Sequence, residues 1–515
     1  MTRPVTKIII VGGGSAGWLT AGIIASQHCS NDPNGLSVTL IESSDIPTIG
    51  VGEGTWPTMR ETLASIGISE LEFINCCDAT FKQGSQFVNW SNEQQSYYHP
   101  FVVPKGFGQT NLALNWQPHS KHSSFAHTVS FQPHLCDANK APKQIQTPDY
   151  AAVANYGYHL NAGKFAELLK QHCINKLGVQ HIDDKVCAVK GERTEPIQAV
   201  TTEHNGDLSA DLYIDCSGQH ALLINKHYQI QLNGLDHILF NDSAVAVQVP
   251  YSDDQQEIAS HTIATAHDYG WTWDIGLQTR RGVGNVYSSK FSTEQDAEKQ
   301  LKQYLSHSLT DYEISDLTFR HIRFAPGYRQ QFWHQNCVAV GMAAGFIEPL
   351  EASALALIEL SAKMIAKELP ANTATMPIVA RRFNERFEYR WQRIIDFLKL
   401  HYILSERSSQ YWKAHKDANS VPESLTELLT LWQYQEPTYN DLIQIEEVFP
   451  AASYQYVLYG MGFKTESRQT KRQTDNADHC ESLFYENKQV TQKLMSGLPS
   501  NRQLLNQLQA KYNNN

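Results

Sequence analysis

Within the stretch VGGGSAG, Gly12, Gly14 and Gly17 carry the spacing G-x-G-x-x-G. Residues without side chains let a backbone turn approach a pyrophosphate. A helix opening there aims unsatisfied N–H groups and the positive end of its dipole at the negative charge. Gly12, Gly14 and Gly17, with Ser15 and Ala16 between them, are therefore candidate nucleotide ligands. Glu42 closes the next apolar run, SVTLIE, about where a carboxylate would grip a ribose hydroxyl. The pattern points to a dinucleotide and does not by itself separate FAD from NAD.

Other side chains stand out by type and setting. Lys82 lies in ATFKQGSQF with Phe81 and Phe87 near it in sequence, whereas most lysines are solvated surface charges. Its ammonium offers three hydrogen-bond donors, and partial burial would lower its pKa. His99 and Phe101, in YYHPF, supply flat rings of the kind that bury an arene. Glu348 and Glu351 bracket Pro349 in IEPLEASA, where the proline predicts the first turn of a helix running through Leu357. The stretch GWTWDIG reads as a strand with Trp271 and Trp273 on one face, a pairing that by residue type alone favours packing over chemistry.

These residues need elements to hold them. The β-branched run at 7–11 predicts a buried strand, 15–27 a helix and 37–42 a second strand, which together make a right-handed βαβ unit and a parallel sheet. Later strands are expected over 178–190, 212–216, 244–250 and 337–340, and helices over 353–369 and 379–404. The polar stretch KTESRQTKRQTDNAD, residues 464–478, reads as a surface loop. A length of 515 residues predicts a large body with one or two further lobes. The net charge of -11, without a long basic run, argues against nucleic acid as a partner. Nine cysteines with no C-x-x-C pair argue against a disulfide framework and a zinc site, so no metal is expected and a reducing cytoplasm fits. The first apolar run is too short to span a membrane and lacks a signal-peptide cleavage pattern.

GVGEGTWP (50–57), DLYIDCSG (211–218) and NCVAVGMAAGFIEPLEASAL (336–355) resemble the flavin-contacting segments of the flavin-dependent tryptophan halogenase family. The likeness continues in family order through NYGYHLNAGKFAELLK (155–170), PGYRQQFW (326–333) and DFLKLHYILSER (396–407), and so covers most of the chain. It implies an α/β fold: an FAD-binding, flavin-monooxygenase-like body of Rossmann type over residues 1–380, with substrate-facing segments inserted at about 81–150. A mostly helical substrate-binding part would follow over 381–515. FAD would also touch Gly52, Glu53, Gly54, Gly341 and Ala344. It would arrive as FADH2 from a separate flavin reductase, because no second nucleotide fingerprint for NAD(P)H occurs. A homodimer is implied as well.

In that family, reduced flavin and oxygen convert a halide to hypohalous acid, which travels through the protein to an arene. The resemblance places Lys82 as the lysine that receives the oxidant and Glu351, in preference to Glu348, as the carboxylate that stabilises and deprotonates the arenium ion. Chloride or bromide would meet free amides at Ser353 and Ala354. Here the chain reads Ala352, Ser353, Ala354 where the family usually has Ser-Thr-Gly. His99 and Phe101 match rings that sandwich an indole. Phe449 or Tyr454 stands in for a substrate-facing tryptophan, which FPAASYQYVLYGMGF (449–463) lacks. Free tryptophan and other indolic or phenolic arenes thus remain comparable substrates. The family motif W-x-W-x-I-P is matched by Trp271, Trp273 and Ile275, while Gly276 replaces the proline. With the family backbone kept, Gly276→Pro is expected to leave folding intact. A flavin-dependent aromatic monooxygenase and a non-catalytic flavin-binding protein are the rival readings; Lys82 and Glu351 count against the second.

Overall fold

Burying β-branched side chains on both faces makes Lys7–Val11 a central strand, as its composition predicts. A computed structural model describes residues 2–32, 34–45, 52–466 and 476–514, divided into two compact units. The first unit, residues 1–79, 160–234 and 325–391, is built on a six-stranded sheet. Lys7–Val11 pairs in parallel with Ser37–Glu42 on one side and Leu212–Asp215 on the other. Gln180–Asp183 and Cys337–Ala339 extend the parallel sheet, and Trp333–His334 closes one edge antiparallel. The helix Ser15–Gln27 packs against the helices Ala162–Lys176 and Ser353–Lys367. This is the expected α/β architecture.

The strand expected over 178–190 is two strands in two sheets. Gln180–Asp183 belongs to the parallel sheet, whereas Val186–Lys190 pairs antiparallel with Ala199–Thr202. The break falls at buried Asp184, whose carboxylate accepts hydrogen bonds from the backbone N–H groups of His204 and Asn205. A side chain held that way turns the backbone out of the first sheet.

The second unit comprises residues 80–159, 235–324 and 392–515. Its seven-stranded sheet runs in the order Arg320–Arg323, Ser243–Pro250, Arg280–Tyr287, Gly270–Gly276, Thr262–His267, Gly84–Val88 and Ser96–Pro100. GWTWDIG is therefore an interior strand. Trp271 and Trp273 do share a face, with ring centroids 6.4 Å apart, and Trp271 also packs 6.2 Å from Trp90. Trp273 lies opposite Gly284 in the register and covers it: a Cβ at residue 284 would come within 2.2 Å of the indole. The helix Ala451–Gly460 packs on Ser96–Pro100, and Ala477–Gly497 and Asn501–Asn513 complete the unit. Most of the polar stretch 464–478 lies outside the described residues. Among the described residues, no helix is long and apolar enough to cross a membrane, and no group of three or more His, Cys, Asp or Glu is placed to hold a metal ion.

The expectation for Gly276→Pro is corrected by packing. The φ of Gly276 is outside the left-handed region, so its backbone would tolerate another residue. A Cβ there, however, would stand 2.7 Å from Ile258 Cγ2 and 3.0 Å from Tyr251 Oη.

Candidate active site

In the first unit the glycine turn forms a cradle that side chains would fill. Gly12 has φ +112°, and a Cβ on it would meet the Cys216 carbonyl oxygen at 2.3 Å; one on Gly17 would meet the Gly12 carbonyl oxygen at 1.8 Å. Gly14 caps the helix Ser15–Gln27 with no side-chain hydrogen bond, so no side chain takes the place of an anion at its first turn. Gly341, at φ +67°, approaches so closely that its Cβ would lie 2.8 Å from Ala16 Cβ, bringing the segment that holds Ala344 beside the turn. The Glu42 carboxylate folds over Gly13, held by a hydrogen bond from Lys170 Nζ at 2.8 Å, with His181 Nε2 3.0 Å away. These features fit the pyrophosphate and ribose of FAD. In the strand Gly52–Gly54, Glu53 is partly accessible, yet the atoms packed around its carboxyl desolvate it and push its pKa up to about 7.

Pro349 precedes the helix here instead of starting it. The helix begins at Ser353, and Ala352 before it adopts the left-handed conformation, φ 53° and ψ 41°. Proline at a first turn is a local preference; a turn closed by the Ala352 N–H donating to Pro349 O at 3.1 Å overrides it. Glu351 is buried, and its carbonyl oxygen accepts a hydrogen bond from Trp56 Nε1 at 2.8 Å. Glu348 is also buried. Ser353 is buried at the first position of the helix, which has no side-chain cap, and Ala354 is exposed. On the same helix, buried Glu359 accepts hydrogen bonds from Thr58 Oγ1 at 3.2 Å and from Thr62 Oγ1; burial pushes its carboxyl up to about 7.

In the second unit Lys82 ends the strand Thr80–Lys82, which pairs with residues 157–159. Its side chain is buried, and its ammonium lies 5.4 Å from the centre of the Phe101 ring, a cation–π contact. The Phe101 N–H donates to Gln83 O at 3.1 Å, tying the ring to the lysine strand. Thr80 Oγ1 donates to Gly276 O at 2.6 Å, so the tryptophan strand braces the same segment. Fully buried His159 is driven well below the usual histidine range by desolvation, and then by the charges of Lys82 and His261.

His99, Phe449 and Tyr454 converge on one ring, Phe397. Phe449 stacks on it with centroids 3.9 Å apart, Tyr454 meets it edge-on at 4.9 Å, and His99 lies 5.4 Å away. Tyr456 joins them, 6.3 Å from His99. Sequence reasoning missed Phe397, although it lies within DFLKLHYILSER, and it missed Trp56, Lys170 and His181. No local pattern marks those residues, because each acts through a partner far away in the chain.

The tryptophan halogenase family matches residues 7–478. A tryptophan 7-halogenase of Lentzea aerocolonigenes is 30% identical, covering 98% of this chain and 99% of its own. A tryptophan 6-halogenase of Streptomyces toxytricini is 31% identical over 90% of each. Among solved structures, a tryptophan halogenase from Shewanella frigidimarina superposes with a TM-score of 0.94 at 49% identity, covering 98% of both chains. A flavin-dependent halogenase from Brevundimonas superposes with a TM-score of 0.86 at 27% identity, covering 98% of this chain and 99% of its own. The chain belongs to the tryptophan halogenase family and is a flavin-dependent halogenase, an oxidoreductase whose chemistry uses FAD and a halide ion.

Proposed function

We propose that this enzyme halogenates an indolic arene, tryptophan being one candidate, with chloride or bromide and with FADH2 delivered by a separate flavin reductase. The observation that carries the reading is the Lys82 ammonium, buried and set over the Phe101 ring. Bound reduced FAD supplies, with oxygen, the oxidation of halide to hypohalous acid. Gly12, Gly14, Ser15, Ala16 and Gly17 hold its pyrophosphate, Glu42 its ribose, and Gly52, Glu53, Gly54, Gly341 and Ala344 complete the cradle. Ser353 and Ala354 receive the halide.

Lys82 hydrogen-bonds the oxygen of the hypohalous acid and withdraws electron density from the halogen. The halogen–oxygen bond then breaks as the ring carbon–halogen bond forms, and the departing hydroxide takes a proton from the Lys82 ammonium to become water. Glu351 stabilises the cationic ring and accepts the proton lost from the substituted carbon. His99, Phe101, Phe449 and Tyr454 hold the arene between aromatic faces. The nine free thiols suit a reducing cytoplasm, and family likeness supports a homodimer.

The test supplies purified protein with FAD, a flavin reductase, NADH, oxygen and either halide, and screens indoles and phenols by mass spectrometry. Halogenated product that vanishes in Lys82→Ala, with FAD affinity kept, is the expected result. Product that gains only oxygen, whichever halide is present, refutes the reading.

A further inference from the structure

We infer that Trp56 is a positioning residue for Glu351: its indole N–H fixes the turn from which that carboxylate projects. The inference rests on the proposed role of Glu351 and adds a residue to it.

Glu351 stands at a backbone position that is not at rest. The residue after it, Ala352, is left-handed at φ 53°, a conformation that costs an L-residue free energy a glycine would not spend. Strain of this kind persists only where surrounding structure holds it. Two hydrogen bonds do so: the Ala352 N–H closes the turn onto Pro349 O at 3.1 Å, and Trp56 Nε1 donates to Glu351 O at 2.8 Å. The second orients the peptide between Glu351 and Ala352. Were that peptide to rotate, Ala352 would relax toward the right-handed region and the Glu351 side chain would swing with it.

Trp56 is well placed to hold that peptide because its own backbone is anchored. It follows the strand Gly52–Gly54 by two residues and precedes the helix Thr58–Ile66. Thr58 and Thr62 of that helix donate to Glu359 on the helix Ser353–Lys367. The segment is thus fastened to the helix after Glu351 independently of the indole. Removing the Trp56 N–H therefore loosens the turn without undocking the segment.

The experiment compares wild type, Trp56→Phe, Glu351→Gln and the double variant. Each is assayed with FAD, a flavin reductase, NADH, oxygen, bromide and indole as the probe arene. FAD affinity is read by flavin fluorescence, and the thermal midpoint is taken without FAD. Trp56→Phe should lower kcat about twofold to twelvefold, the worth of one hydrogen bond expressed at the transition state, with FAD affinity within about twofold. In the Glu351→Gln background the same change should cost less than about twofold, because the group it positions is already gone. Ala352→Gly should raise the thermal midpoint by removing the strain, and in that background Trp56→Phe should cost less than about twofold in kcat, which a merely structural turn would not do; the stabilised background also keeps the comparison available if Trp56→Phe alone folds poorly. Losses that multiply in the double variant, or an unchanged kcat in Trp56→Phe, overturn the inference while leaving Glu351 in place. An unchanged kcat in Glu351→Gln overturns the role of Glu351, and the inference with it.

Discussion

Replacing Gly276 tests whether packing at the end of the tryptophan strand sets the geometry of Lys82. A Cβ at this position would lie 2.7 Å from Ile258 Cγ2 and 3.0 Å from Tyr251 Oη, against the ~3.5–4.0 Å at which carbon atoms rest. Ile258 is fully buried, so it cannot retreat into solvent, and the shortfall of roughly 1 Å must be absorbed by backbone or neighbours. Overpacking of this kind costs about 1–3 kcal/mol. Gly276→Ala should therefore lower the urea midpoint by that amount at an unchanged slope, and Gly276→Pro should lose at least as much. The Gly276 carbonyl accepts the Thr80 hydroxyl at 2.6 Å, and Thr80 shares a strand with Lys82. A shifted carbonyl pulls on that strand, so halogenation by Gly276→Ala should fall while FAD affinity is kept. Ile258→Ala removes the obstructing atom, so the double variant should be more stable than the sum of the single losses predicts, with a coupling of ~1 kcal/mol or more. Stability and rate within error of wild type for both Gly276→Ala and Gly276→Pro would refute the reasoning.

Two further outcomes follow from buried groups. Phe449→Leu keeps an apolar side chain but gives up the ring stack on Phe397 at 3.9 Å, which should cost about 0.5–1.5 kcal/mol of stability; KM for the arene should rise, and an unchanged KM would remove Phe449 from the substrate site. The Glu359 carboxyl is raised from 4.5 to about 7 by burial, so the folded protein holds that proton more tightly than the unfolded chain does. Its contribution is fully present below about pH 4.5 and is lost as pH rises through about 7, on the order of 3 kcal/mol in all. Glu359→Gln should flatten this part of the decline in unfolding midpoints taken between pH 5 and 7.5, and a parallel profile would contradict it.

The glycine turn and the elements around it were legible in the sequence because what shapes them is local. The glycine spacing, the β-branched strand before it and Glu42 at the end of the next strand are set by backbone sterics and by a single crossover, and the structure has the elements Lys7–Val11, Ser15–Gln27 and Ser37–Glu42 as read. The indole pair at Trp271 and Trp273 was legible for the same reason, since a strand has period two. Tertiary structure decided the rest. The helix after Glu351 starts at Ser353, not at Pro349, because a left-handed Ala352 and a hydrogen bond from Trp56, 295 residues away, outweigh the preference of proline for a first turn. Phe397 became the ring on which His99, Phe449 and Tyr454 converge. Gly276 looked free to be proline until Ile258 was seen against it. Spacing encodes what a residue does to its own backbone; contact between distant segments depends on the space every other side chain leaves, and that is settled only when the chain has folded.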